Sequence, residues 1–171
     1  MTQTDQVDSR EIDDDLEFQR RSWKVQRVGW AAMLLLISAG LLGLFGQGPL
    51  SRATSGTKRS PLYLEYERFT RLSSLHTLSV EVLKPAASAE STTVIWVDRE
   101  WLAGNVIERI TPEPNSSVTA GDKTIYAFGA VPGGGASLVI FTLTSRKAGR
   151  RHGRVGLSTG QTVSFSRFTY P

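Results

Sequence analysis

LHTLSVEV, residues 75–82, decides the fold class: Leu78, Val80 and Val82 alternate with Ser79 and Glu81, so a strand carries apolar side chains on one face and polar ones on the other. The preceding LYLEYERF (62–69) has the same period of two. TTVIWV (92–97) is β-branched and aromatic enough for a central strand. Val106–Thr111, Lys123–Val131, Ser137–Thr144, Arg154–Leu157 and Thr162–Tyr170 bring the expected total to about eight short strands. PAASAES (85–91), PEPN (112–115), PGGGA (132–136) and STGQ (158–161) supply the loops and turns between them. Strands this short and this regularly spaced predict a mainly β fold, an Ig-like β-sandwich over residues 61–171, with a closed barrel as the other solution. DREWLAGN (98–105) reads as a short helical turn capped by Asp98 and stopped by Gly104-Asn105.

Upstream the pattern changes. VGWAAMLLLISAGLLGLF, residues 28–45, runs eighteen positions without a charge. At about 1.5 Å per residue such a helix just spans a hydrocarbon core of about 30 Å, so residues 28–46 are expected to form one transmembrane helix. The seven carboxylates among the 27 preceding residues disfavour a cleaved signal peptide, and a chain without cysteine has no site for a lipoprotein anchor. Arg20, Arg21, Lys24 and Arg27 crowd the near side of the run, which predicts a cytoplasmic tail (1–27) and a periplasmic domain (61–171) of an inner-membrane protein. Trp23 and Trp30 suit the interface. The acidic first half of the tail is expected to be disordered, a helix to continue from about Asp14, and residues 47–60 to be a flexible spacer.

Charge and composition narrow the chemistry. Up to Phe45 there are five Lys or Arg against seven Asp or Glu, and beyond it fifteen against nine, giving −2 and +6 and the total of +4. Without cysteine there are no disulfides, thiol nucleophiles or thiolate metal sites, and blue copper is excluded with them. His76, in a strand, and His152, in a basic loop, have no companions at metal-ligand spacing, and His76 is expected at the surface or rim. No cofactor is implied. GAVPGGGA (129–136) lacks the strand-to-helix setting of a phosphate loop and is more simply a turn, and Asn115-Ser116-Ser117 is a glycosylation sequon of a kind that arises by chance. Glu65 and Glu67 share one face of a strand about 7 Å apart, a separation that inverting glycosidases use, but carboxylates on one strand more often line a solvated sheet face.

RKAGRRHGR (146–154) is the one concentrated feature of the domain. Read as a basic hairpin tip, it offers Arg146, Lys147, Arg150, Arg151 and Arg154 to an anionic lipid surface, an anionic glycan or the acidic loop of a protein partner, nucleic acid being excluded by a periplasmic location. The plain alternative is a solvated loop that protects a sheet edge.

The charged tail and single helix, GPLS (48–51), LEYERF (64–69) and the C-terminal FTYP (168–171) together resemble a group of small bacterial inner-membrane proteins. The resemblance implies a companion of YetF-like membrane proteins and carries no site residues. The expectation is a membrane-anchored accessory or interaction subunit with no catalysis of its own. The alternatives are a carbohydrate-binding or glycan-hydrolysing envelope domain, and an electrostatic tether to lipid or polymer.

Overall fold

The computed structural model describes residues 4–42, 50–83, 92–129 and 136–171, with side chains from residue 22 onward. The end of the apolar run (43–45), the PAASAES loop and residues 132–135 of the PGGGA turn lie outside the described residues. The chain forms two units that part at Leu41/Leu42.

The first unit is one continuous helix, α1 (Thr4–Leu41). It begins ten residues earlier than the sequence suggests, so the acidic segment expected to be disordered is helical. Asp5, Asp8 and Glu11 fall in its first turns. Among the described residues no helix is long and apolar enough to cross a membrane. Within α1, Met33, Leu34, Leu35, Leu36 and Ile37 are all exposed. Five consecutive positions, about 100° apart, fall on every side of a helix, so this stretch shows apolar side chains all round.

The second unit is mainly β, eleven strands in two sheets. The strands are β1 (Arg52–Ser55), β2 (Leu62–Glu67), β3 (Phe69–Arg71), β4 (Leu75–Leu83), β5 (Thr93–Asp98), β6 (Asn105–Thr111), β7 (Ser116–Ala120), β8 (Lys123–Phe128), β9 (Ala136–Ser145), β10 (Gly149–Leu157) and β11 (Thr162–Tyr170). One sheet has the order β1-β2-β4-β9-β6 and the other β3-β11-β10-β5-β8-β7. All pairings are antiparallel except β3 with β11. The sheets meet through alternating residues: Leu64, Val80 and Val139 on one and Ile95, Val97 and Val155 on the other are fully buried. Aromatic pairs cross between the sheets, Tyr66 with Phe165 at 5.2 Å and Tyr126 with Phe141 at 5.5 Å between ring centroids.

The eight expected strands gain three, each for a local reason. LYLEYERF bends at Arg68 and passes from one sheet to the other, so a single expected strand becomes β2 and β3. SSVTA (116–120) has no apolar period to betray it, and it forms the fully exposed edge β7. β1 comes from residues read as spacer: Ala53 is buried against the core, Ser51 is buried too, and Arg52–Ser55 pairs with Leu64–Glu67. Small polar residues make poor strand signals, yet an edge strand needs only backbone pairing and one inward methyl. The sandwich therefore begins inside the expected spacer 47–60, not at residue 61.

α2 (Arg99–Leu102) follows β5 and buries Trp101, which meets Phe165 edge-on at 4.9 Å. Gly153 makes room for this indole, since a Cβ there would lie 2.8 Å from Trp101 and 2.7 Å from Phe165. Asp98 makes no side-chain cap to α2, contrary to expectation, because its carboxylate is taken by Arg154.

Candidate interaction surface

The basic stretch 146–154 is not one loop. β10 starts at Gly149, five residues before the expected Arg154, so only residues 146–148 form the β9–β10 turn. Gly149, at φ +104°, supplies the left-handed residue that closes it. Arg146 and Lys147 stand exposed on the turn, and Arg150, Arg151 and Arg154 follow along a strand, where side chains alternate. Arg150 is exposed beside Phe168 of β11. Arg151 turns back against α2, donating to the Glu100 carbonyl at 2.8 Å. Arg154 is committed elsewhere: its Nε lies 3.0 Å from Asp98 and a terminal nitrogen 3.5 Å from Asp122. The Asp98 hydrogen bond, then its charge, raises the Arg154 pKa further. Of the five residues expected to meet an anionic partner, Arg146, Lys147 and Arg150 remain available among the described residues.

The structure adds neighbours that the sequence hides. Pairing of β3 with β11 sets Phe69 beside Phe168 and Arg71 beside Tyr170. With Arg150 across from Phe168, a row Arg150–Phe168–Phe69 runs over three strands. Tyr170 stacks edge-on against Phe168 at 4.9 Å and lies 6.1 Å from Phe69. This makes a three-ring platform on the outer face of the β3-β11-β10 edge, flanked by Arg71, Arg150 and Arg68, all exposed. The two salt bridges among the described residues both involve Arg154, so these three cations, Arg146 and Lys147 have no carboxylate in ion-pair range.

Glu65 and Glu67 line a hollow of ≈ 240 Å³ on the outer face of the other sheet, with Arg52, Tyr66, Thr77 and Ser79. Glu65 is exposed and Glu67 half-buried. Burial pushes the Glu67 pKa up, opposed by the Arg167 charge and by the Thr77 backbone. Besides the two glutamates, one arginine, one tyrosine and two hydroxyl residues form this wall.

Inside the same end of the sandwich sits a polar cluster. His76 is 2 % exposed, not at the rim, because it shares the inward parity of Leu78, Val80 and Val82. Its Nδ1 lies 3.5 Å from the Ser145 hydroxyl, which donates to Asn105. Burial, then the Arg167 charge, pushes its pKa down to about 3. Arg167 is 3 % exposed, donates from Nε to the Glu67 carbonyl at 3.0 Å and lies 5.5 Å from the Trp101 ring. Its terminal nitrogens find no partner among the described residues, and burial pulls its pKa down to about 10. An ion buried with so few partners adds little stability. Arg167→Met is expected to leave the domain equally stable or up to about 4 kcal/mol more stable, as chemical denaturation would measure.

Among the described residues no group of three His, Asp or Glu is placed to hold a metal. No family model matches the chain, and no curated protein matches it. Solved structures similar to the chain include two at low identity. The cohesin module of a family 33 glycoside hydrolase from Clostridium perfringens ATCC13124 is 12% identical, over 70% of this chain and 97% of that one, with a TM-score of 0.44. A β-glucosidase from Listeria innocua, in complex with gluconolactone, is 14% identical, over 74% of this chain and 17% of that one, with a TM-score of 0.38.

Proposed function

We propose that this chain is a membrane-anchored interaction subunit: α1 and the apolar residues after it hold an Ig-like sandwich at the periplasmic face of the inner membrane, where it serves a membrane-protein partner without chemistry of its own. The observation that carries the anchor is the helix exposing large apolar side chains on every side, from Trp30 through Leu42. Lipid is the medium that would cover such a helix without a protein shell. Basic residues and Trp23 gather at one end of the run, with the Arg27 guanidinium 3.6 Å from the Trp23 ring centroid. The sandwich supports a binding role through what it leaves uncovered, the aromatic platform and the cations beside it that have no ion pair among the described residues.

The absence of native cysteine makes the test direct. Full-length Asp8→Cys and Ser158→Cys variants are labelled in intact cells with a thiol reagent that cannot cross the inner membrane. The membranes are extracted at alkaline pH, and the gently solubilised protein is affinity-purified. Expected are retention in the membrane, labelling at 158 but not at 8, and recovery of a membrane protein in stoichiometric amount. Release by alkali would overturn the anchor, and labelling at 8 alone would reverse the orientation. Purification of the chain alone with a retained glycan would replace the accessory role by carbohydrate binding.

A further inference from the structure

The point where the chain enters the sandwich and the aromatic platform lie at the same end. The Ser51 hydroxyl donates to the Phe69 carbonyl at 3.0 Å, and the Arg68 amide to the Ser51 carbonyl at 2.6 Å. The Phe168 amide donates to Arg68 and the Leu72 amide to Tyr170, each at 2.7 Å. The Ser73 amide reaches Ser145, and the β9–β10 turn with Arg146 and Lys147 follows at once. Entry, platform and basic turn are thus joined by hydrogen bonds into one end of the domain. Leu50 and Leu75, both exposed, lie in the same region.

Chain length then limits where this end can be. From Phe45, the last residue of the apolar run, to Ser51 is six residues, which reach at most about 20 Å when fully extended. From these observations, and resting on the anchor proposed above, we infer that Phe69, Phe168 and Tyr170, with Arg68, Arg71, Arg146, Lys147 and Arg150, form a surface that docks on the anionic phospholipid headgroups of the bilayer holding the helix. The chemistry fits one occupant. Aromatic rings with a polar rim settle at the headgroup level, and five cations that have no carboxylate partner among the described residues complement anionic lipid. The link is too short for this end to wander far from that lipid. Docking leaves the opposite end, with the β10–β11 turn, facing away from the membrane for a protein partner.

The test uses the full chain in vesicles, with a fluorophore on Ala148→Cys at the docking end or Thr159→Cys at the far end of the β10–β11 hairpin, about 30 Å away. Vesicles of phosphatidylcholine, with or without phosphatidylglycerol, carry a headgroup-labelled quencher lipid. Quenching is expected at 148 and not at 159, deeper with phosphatidylglycerol and relieved by salt. Each cation neutralised in Arg71→Gln, Lys147→Gln and Arg150→Gln is expected to lower the docked-to-undocked ratio about fivefold. Equal quenching at the two positions, or quenching at 148 indifferent to lipid charge, salt and these substitutions, would overturn the docking while leaving the anchor intact. A chain that alkali strips from the vesicles would overturn both.

Discussion

Trp101→Ala is expected to cost about 3–5 kcal/mol, a large share of the roughly 5–15 kcal/mol that holds a domain folded. The indole is 1 % exposed and lies edge-on to Phe165, with Gly153 beneath it and Arg167 beside it. Its loss leaves a cavity that a four-residue helix cannot collapse to fill, and it bares Arg167, a charge already short of partners. Thermal unfolding followed by far-ultraviolet circular dichroism should show the melting temperature falling by roughly 15–25 °C, at about 5 °C per kcal/mol. Gly153→Ala probes the same contact from the other side: its methyl group must displace two buried rings, an overpacking cost of about 1–3 kcal/mol. A melting temperature unchanged in both variants would mean that Trp101 does not pin α2 to the β10-β11 pair.

The second large effect is acid sensitivity through His76. In the folded chain its pKa is about 3, against an ordinary 6.5, so between these values the unfolded chain binds the proton and the folded one does not. Unfolding then takes up a proton and stability falls as pH falls, by at most roughly 1.4 kcal/mol per pH unit. The contribution is whole above about pH 6.5 and is lost progressively towards pH 3. Glu67 acts in the opposite sense just above 4.5, because burial raises its folded pKa and the folded form keeps its proton longer as pH rises. The His76 part is therefore isolated by the difference between the native chain and a variant that lacks this imidazole, in which the Glu67 part cancels. Denaturant titrations at several pH values should show it in the native chain and find it absent in His76→Gln. An unaltered slope in that variant would show that another group carries the acid transition.

His76 also shows how far periodicity reaches. The alternation of Leu78, Val80 and Val82 that identifies β4 places His76 on the same inward face, so its burial is implied by parity once the strand is extended to Leu75. β11 is different: Val163 and Phe165 sit on one parity and Phe168 and Tyr170 on the other, so the apolar face switches partway along. Sequence gives no reason for Arg167 to be inside and Phe168 outside. Strand parity carries Arg167 inward with Phe165 and Thr169, and β3, paired alongside, sets Phe69 beside Phe168 on the outer face.

The basic stretch was legible as a cluster but not as a surface. Arg146 and Lys147 fall on a turn as their neighbours suggest, while Arg154 is drawn to Asp98, a residue 56 positions away. Arg71 and Phe69 join the cluster only through β3–β11 pairing. Pairings at such separations depend on loop closure and sheet order, which no local pattern records.

By itself the sequence determined the element types: period two makes β-strands, the uncharged stretch from Val28 continues a helix to Leu41, and the absence of cysteine leaves the sandwich without disulfides. These are local properties of side-chain polarity and backbone geometry. Only the tertiary structure decided that residues 52–55 belong to a sheet, that a histidine and an arginine share the interior, and that three rings and five cations gather where the chain enters the domain. Those outcomes rest on which strands become neighbours, and that is set by the burial of the whole chain together.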